Sequence, residues 1–207
     1  MKTAKNNKMQ IISQVLFAFA LFLILPNFVN AQVVYNTNGT SDKTIKVFGT
    51  SNVHDWDMKS TAIESHGMFV VNPGNKLVSI SNLTFTTTAK GLKSNSNGMD
   101  DRTHKLLKAD QHPTITYKLQ SAVISPTQKD NTYLIRSTGI LTIAGVSQTI
   151  TMDVTGVVNN QNTITCSGSK KIKLTDYKLT PPSYMAGAMK VGNELTIDFD
   201  IAFKKAG

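Results

Sequence analysis

Leu195-Thr196-Ile197-Asp198-Phe199-Asp200-Ile201-Ala202-Phe203 carries an apolar side chain at every second position, with Thr, Asp, Asp and Ala between them. Successive side chains of a β-strand point to opposite faces, so this stretch has an oily side and a wet side. The alternation recurs upstream. Ile150, Met152, Val154 and Val158 stand against Thr149, Thr151, Asp153 and Thr155, and Ile115, Tyr117 and Leu119 stand against Thr116 and Lys118. One wet face per strand is the mark of an antiparallel sheet wrapped around an apolar interior.

Strands are predicted at Thr44 to Thr50, Thr61 to Val71, Lys76 to Thr88, Thr114 to Ile124, Thr132 to Ile143, Gln148 to Val158, Thr163 to Leu174 and Glu194 to Lys204. They are rich in Thr, Val, Ile, Tyr and Phe, and turn-forming residues such as Pro73-Gly74-Asn75, Ala144-Gly145 and Asn159-Asn160 separate them. Short links favour an up-and-down order. Eight strands suit a closed barrel, which leaves no exposed edge and an interior wide enough for side chains or one slender ligand; an open sandwich is the other solution.

Two segments break the strand pattern. Between Gly98 and Asp110, Met99, Leu106 and Leu107 fall at helical spacing, with Asp100 and Asp101 early and Lys105 and Lys108 late, an order that complements a helix dipole. Thr175 to Gly192, with Pro181-Pro182, Met185 and Met189, is a long connection that is expected to cap one barrel mouth.

The N-terminus has Lys2, Lys5 and Lys8, an apolar run from about Ile11 to Leu25, and Val29-Asn30-Ala31. It reads as a secretory signal peptide over residues 1–31, with the barrel domain spanning 32–207, and the protein is expected to be exported, either periplasmic or secreted. Gln32 follows the expected cleavage point, where a lipid anchor needs a cysteine. The only cysteine, Cys166, has no intramolecular disulfide partner and is expected to pack as a small apolar residue. The formal charge of +9 falls to +6 without the three leader lysines, a modest excess that suits either ordinary solubility or transient contact with an anionic membrane face. No nucleic-acid motif is present, and aromatics are not interleaved with Arg or Lys as a stacking platform requires.

Catalytic and metal chemistry find little support. His54 and Asp55 are adjacent, so in a strand they point to opposite faces, and no nucleophile motif accompanies them. The expected role of His54-Asp55-Trp56 is to pin a strand end, with Trp56 packing and the polar groups bonding backbone. His54, His66, His104 and His112 lack metal-ligand spacing. Lys90, Lys93, Lys105 and Lys108 around the helix are read as a solvated face.

Four ordered segments carry a family resemblance: Gly49-Thr50-Ser51-Asn52-Val53-His54-Asp55-Trp56; Gly98-Met99 through Leu107-Lys108-Ala109 to His112-Pro113-Thr114-Ile115; Gly139-Ile140-Leu141-Thr142-Ile143-Ala144-Gly145-Val146; and Lys173-Leu174-Thr175-Asp176-Tyr177 through Pro181-Pro182 and Gly187. The set resembles the YceI-like family of exported lipid-binding proteins. The resemblance implies an all-β, eight-stranded, antiparallel lipocalin-like barrel with a short helix and a capping loop. It also implies a tunnel that holds an isoprenoid or other long-chain lipid, with no other cofactor and no catalysis. On this reading Phe85, Ile115, Tyr117, Leu141, Ile150, Met152, Val154, Leu195, Ile197 and Phe199 form the wall, and Met185 and Met189 lie at the mouth. Two alternatives stay open from the residues alone: a bore filled by its own side chains, and a structural or adhesive β-domain acting through its outer surface.

Overall fold

The computed structural model describes residues 32–38, 40–159 and 163–206; the expected leader and Asn160 of the expected Asn159-Asn160 turn lie outside them. Among the described residues the strands are β1 (Val33–Asn36), β2 (Lys43–Ser51), β3 (Trp56–Ser60), β4 (Ile63–Val71), β5 (Leu77–Thr88), β6 (Thr114–Pro126), β7 (Thr132–Ile143), β8 (Val146–Asn159), β9 (Thr163–Lys173), β10 (Ser183–Tyr184) and β11 (Met189–Lys205). One helix, α1 (Asn97–Leu106), links β5 to β6.

The sheet closes on itself as an eight-stranded antiparallel barrel. β1 and β2 both pair with β11, at Tyr35↔Lys205 and at Ile201↔Lys43, so they are two pieces of one barrel strand. β3 and β4 divide a second strand in the same way, pairing with β2 and β1 respectively. The pieces β1 and β3 had not been expected as strands: four and five residues are too few for a period-2 pattern to register. Each of the other neighbours in the meander follows its predecessor through a local link. Ala144-Gly145 makes a two-residue hairpin with positive φ at both residues, the geometry whose twist matches the flanking strands.

All the longer links fall at one end of the barrel. Helix α1 is capped by Ser96, whose Oγ accepts from Met99 N at 3.4 Å, and it stops at Lys108, which takes a left-handed φ of 51°. Asp100 does more than complement the helix dipole. It is 3% exposed, and one carboxylate oxygen accepts from Ser94 N at 2.7 Å and Ser94 Oγ at 2.8 Å while Lys93 lies 3.5 Å from the other. At the same end Trp56 lies across Gly49, where any Cβ would overlap the indole, and Trp56 Nε1 donates to Thr50 O at 3.2 Å. Ser51, rather than the exposed His54 and Asp55 side chains, holds that turn: its Oγ accepts from Val53 N and His54 N and donates to His54 O.

The opposite end is filled. Phe69 stacks between Tyr35 and Phe203 with ring centroids 5.2 and 5.3 Å apart, tilted as aromatic pairs prefer. Ile164 and Tyr133 belong to the same buried cluster.

Candidate functional site

Between the aromatic plug and the helix end, the bore is hollow. A cavity of about 180 Å³ is lined almost wholly by apolar groups. A smaller apolar void, lined by Leu, Ile and Phe, already stays dry and accepts hydrophobic guests, so this one qualifies as a guest site on size and lining.

The register explains which side chains reach it. Phe85 on β5 lies opposite Tyr117 on β6, which lies opposite Leu141 on β7; all three face inward. Ile115 adds to the β6 wall, Ile150, Met152 and Val154 come from β8, and Leu195, Ile197 and Phe199 from β11. Every strand residue assigned to the wall from sequence therefore borders the cavity.

Met185 and Met189 do not. Met185 is 79% exposed at the tip of the β10–β11 hairpin, where it and Ala186 take left-handed φ, and Met189 pairs with Tyr184 beside that tip. The hairpin is held from outside the bore: Asn52 Nδ2 donates to Ala188 O at 2.9 Å, and the Arg102 guanidinium sits 4.8 Å from the centre of the Tyr184 ring. The expected cap is shorter than the 175–192 connection. Leu174, Tyr177 and Leu179, in and just after a 3-10 turn at Leu174–Tyr177, line the cavity where that connection begins. Leu92 and Leu107 reach it from either side of α1. Alternation along the expected 163–174 strand reaches Leu174 but is blind to the other four, none of which lies inside a strand, although the Leu-x-x-Tyr-x-Leu spacing is an apolar signal in its own right.

The polar groups of the lining stay neutral, with one exception. Tyr117 Oη and Ser137 Oγ share a buried hydrogen bond of 2.6 Å, and burial pushes the phenol up while that bond pulls it partly back. Burial, helped by the Asp176 carboxylate, pushes Tyr177 up to about 12. Its Oη has no hydrogen-bond partner although the residue is only 2% exposed. Burial, and secondarily the negative charge of Asp200, likewise raises the Cys166 thiol to about 12, so it is an unreactive apolar lining group. The exception is Lys170 on β9. Among the described residues, no group of His, Cys, Asp and Glu is arranged to hold a metal ion.

An antiparallel barrel closed around an apolar chamber defines the class of fold. Residues 30–203 match the YceI-like domain, and the chain belongs to that family. Its fold is similar to that of BcnA from Burkholderia cenocepacia, at 18% identity and TM-score 0.61, over 77% of this chain and 95% of that one. It is also similar to a polyisoprenoid binding domain from Saccharophagus degradans implicated in plant cell wall breakdown, at 11% identity and TM-score 0.63, over 85% of this chain and all of that one. The YceI protein of Campylobacter jejuni is a third neighbour; a mutant of it with a monobromobimane guest has 18% identity and TM-score 0.52, over 69% of this chain and 81% of that one. No curated protein matches the chain.

Proposed function

We propose that this protein is an exported binding protein that holds an isoprenoid or similarly long apolar lipid in its barrel, as a carrier or store, without catalysis. The observation that carries the reading is the apolar chamber itself: ten inward-facing residues from β5, β6, β7, β8 and β11 leave it open where close packing is the rule for protein interiors. The Saccharophagus degradans neighbour, described as polyisoprenoid binding, supports the guest class, and the signal-like residues 1–31 support export.

The energetics favour exchange over permanent capture. Apolar burial is worth about 25 cal/mol per Å², so a tail entering from water gains strongly, whereas a tail leaving a bilayer gains almost nothing. A carrier that touches membranes transiently and hands its guest on fits that balance. Protein purified from its native host is expected to release an apolar passenger in near-equal molar amount on solvent extraction and mass spectrometry. Repeated recovery of empty protein, together with no lipid transfer between vesicles, refutes the reading.

A further inference from the structure

The barrel wall is not laced along its whole height. β8 and β9 pair from Asn159↔Thr163 to Val154↔Gly168 and no further, so 146–153 and 169–173 run side by side without a ladder toward the helix end. Two side-chain bonds span that seam instead. Lys170 Nζ donates to Thr151 O at 2.8 Å, and Gln148 Nε2 donates to Asp176 O at 2.6 Å. Both residues occupy inward register positions: Lys170 lies opposite Ile197, and Gln148 opposite Leu141, two cavity-lining residues.

Lys170 is thus a cation on the oily face of its strand, between Gly168 and Ile172, and the only charged residue bordering the cavity among the described residues. It has no carboxylate at ion-pair distance among them; Asp153, on the neighbouring outer face, is engaged by Arg136 at 3.0 Å, and Lys173 faces Glu194 at 4.0 Å. Lysine stems commonly lie along apolar surface with the ammonium carried to the edge, and here Lys170 borders the chamber while its ammonium makes an exposed bond at the seam. One ammonium N–H is used by Thr151 O, and an ammonium has three to offer.

We propose that the β8–β9 seam is where the guest's head group sits, and that the guest is a single-chain amphiphile with a carboxylate head paired to Lys170 and its tail in the cavity. This rests on the lipid-holding reading and narrows it. A lone lysine matches a monoanion; a phosphate monoester, with a charge nearer −2, calls for a cluster of cations or a bidentate arginine, and neither borders the chamber.

The test compares two probes with one tail, decanoate and decanol, by calorimetric titration at neutral pH. The unaltered protein is expected to bind decanoate about tenfold more tightly than decanol, the scale of one charge-assisted hydrogen bond. Lys170→Met is expected to erase that preference. Lys170→Gln, which keeps a donor for Thr151 O, repeats the measurement in case the methionine variant folds poorly. Equal binding of both probes by the unaltered protein, or a preference that survives both substitutions, overturns the head-group assignment and leaves the apolar reading standing. Binding of neither probe overturns both.

Discussion

The two ends of this barrel are built on the same strands with the same alternation, yet one is solid and the other hollow. At the plugged end, Tyr35, Phe69 and Phe203 bring three rings to adjacent strand positions, and their tilted stacking fills the bore. Toward the helix, the corresponding layers hold Gly168, Val154 and Ile197 on the wall, and the bore stays open. Phe199 passes over Gly168, where a Cβ would lie 2.8 Å from the ring, so the ring lies flat to the wall instead of projecting across. Small or aliphatic residues opposite one another leave space; aromatic residues opposite one another consume it.

The contrast predicts unequal costs for similar deletions. Phe69→Ala, at a fully buried site packed on both sides, is expected to cost about 3–5 kcal/mol in urea unfolding. Ile150→Ala in the hollow half is expected to cost only about 1 kcal/mol, because its side chain already borders empty space, while weakening guest binding. Equal losses from the two changes are incompatible with a hollow upper half.

Cys166 reports on the boundary between the halves. Burial raises its pKa from 9.0 to about 12, so it carries far less thiolate at pH 8 than an unperturbed thiol. Disulfide-exchange labelling in the folded state is expected to be much slower than in urea, and slower again when a guest fills the chamber. Fast labelling of the native protein contradicts the dry lining.

Asp100 tests the helix that closes the hollow end. Burial by itself raises its pKa, but the Ser94 N–H and O–H and the Lys93 ammonium together hold it below the usual carboxylate range. A lowered folded pKa means that the stabilisation is complete above the unfolded value and is lost as pH falls through the folded one. Asp100→Asn is expected to cost about 1–3 kcal/mol at neutral pH and to flatten the loss of stability below about pH 4, as thermal unfolding across pH reads directly.

The smallest effect belongs to Tyr177. Its hydroxyl is buried without a partner, so Tyr177→Phe is expected to be neutral or to stabilise the empty protein by about 1 kcal/mol, measured by thermal unfolding. A clear destabilisation is evidence that the hydroxyl has a partner in solution, and the cap is then wetter than described.

Much of this was legible before any coordinates. The alternation in 195–203 and in 148–158 placed Ile197, Phe199, Ile150 and Met152 on the inner face, and that is where they stand. The helix was readable from Met99, Leu106 and Leu107, within a few residues of its observed bounds. Lys170 was missed from the sequence, although it occupies an apolar register position in Thr163–Lys173, a local inconsistency that alternation could have flagged. The methionines misled because chain proximity to a cap says nothing of direction. Met185 was carried outward by a left-handed turn, and Leu174, Tyr177 and Leu179 took the inner positions.

Strand periodicity, turn chemistry and helix capping depend on residues a few positions apart, so a linear reading reaches them and with them the barrel. Whether opposite walls meet depends on the summed volumes of side chains that the chain brings together from positions far apart, such as Tyr35 with Phe203 and Gly168 with Phe199. The void, the plug and the unlaced seam are products of that long-range register, and only the folded molecule decides them.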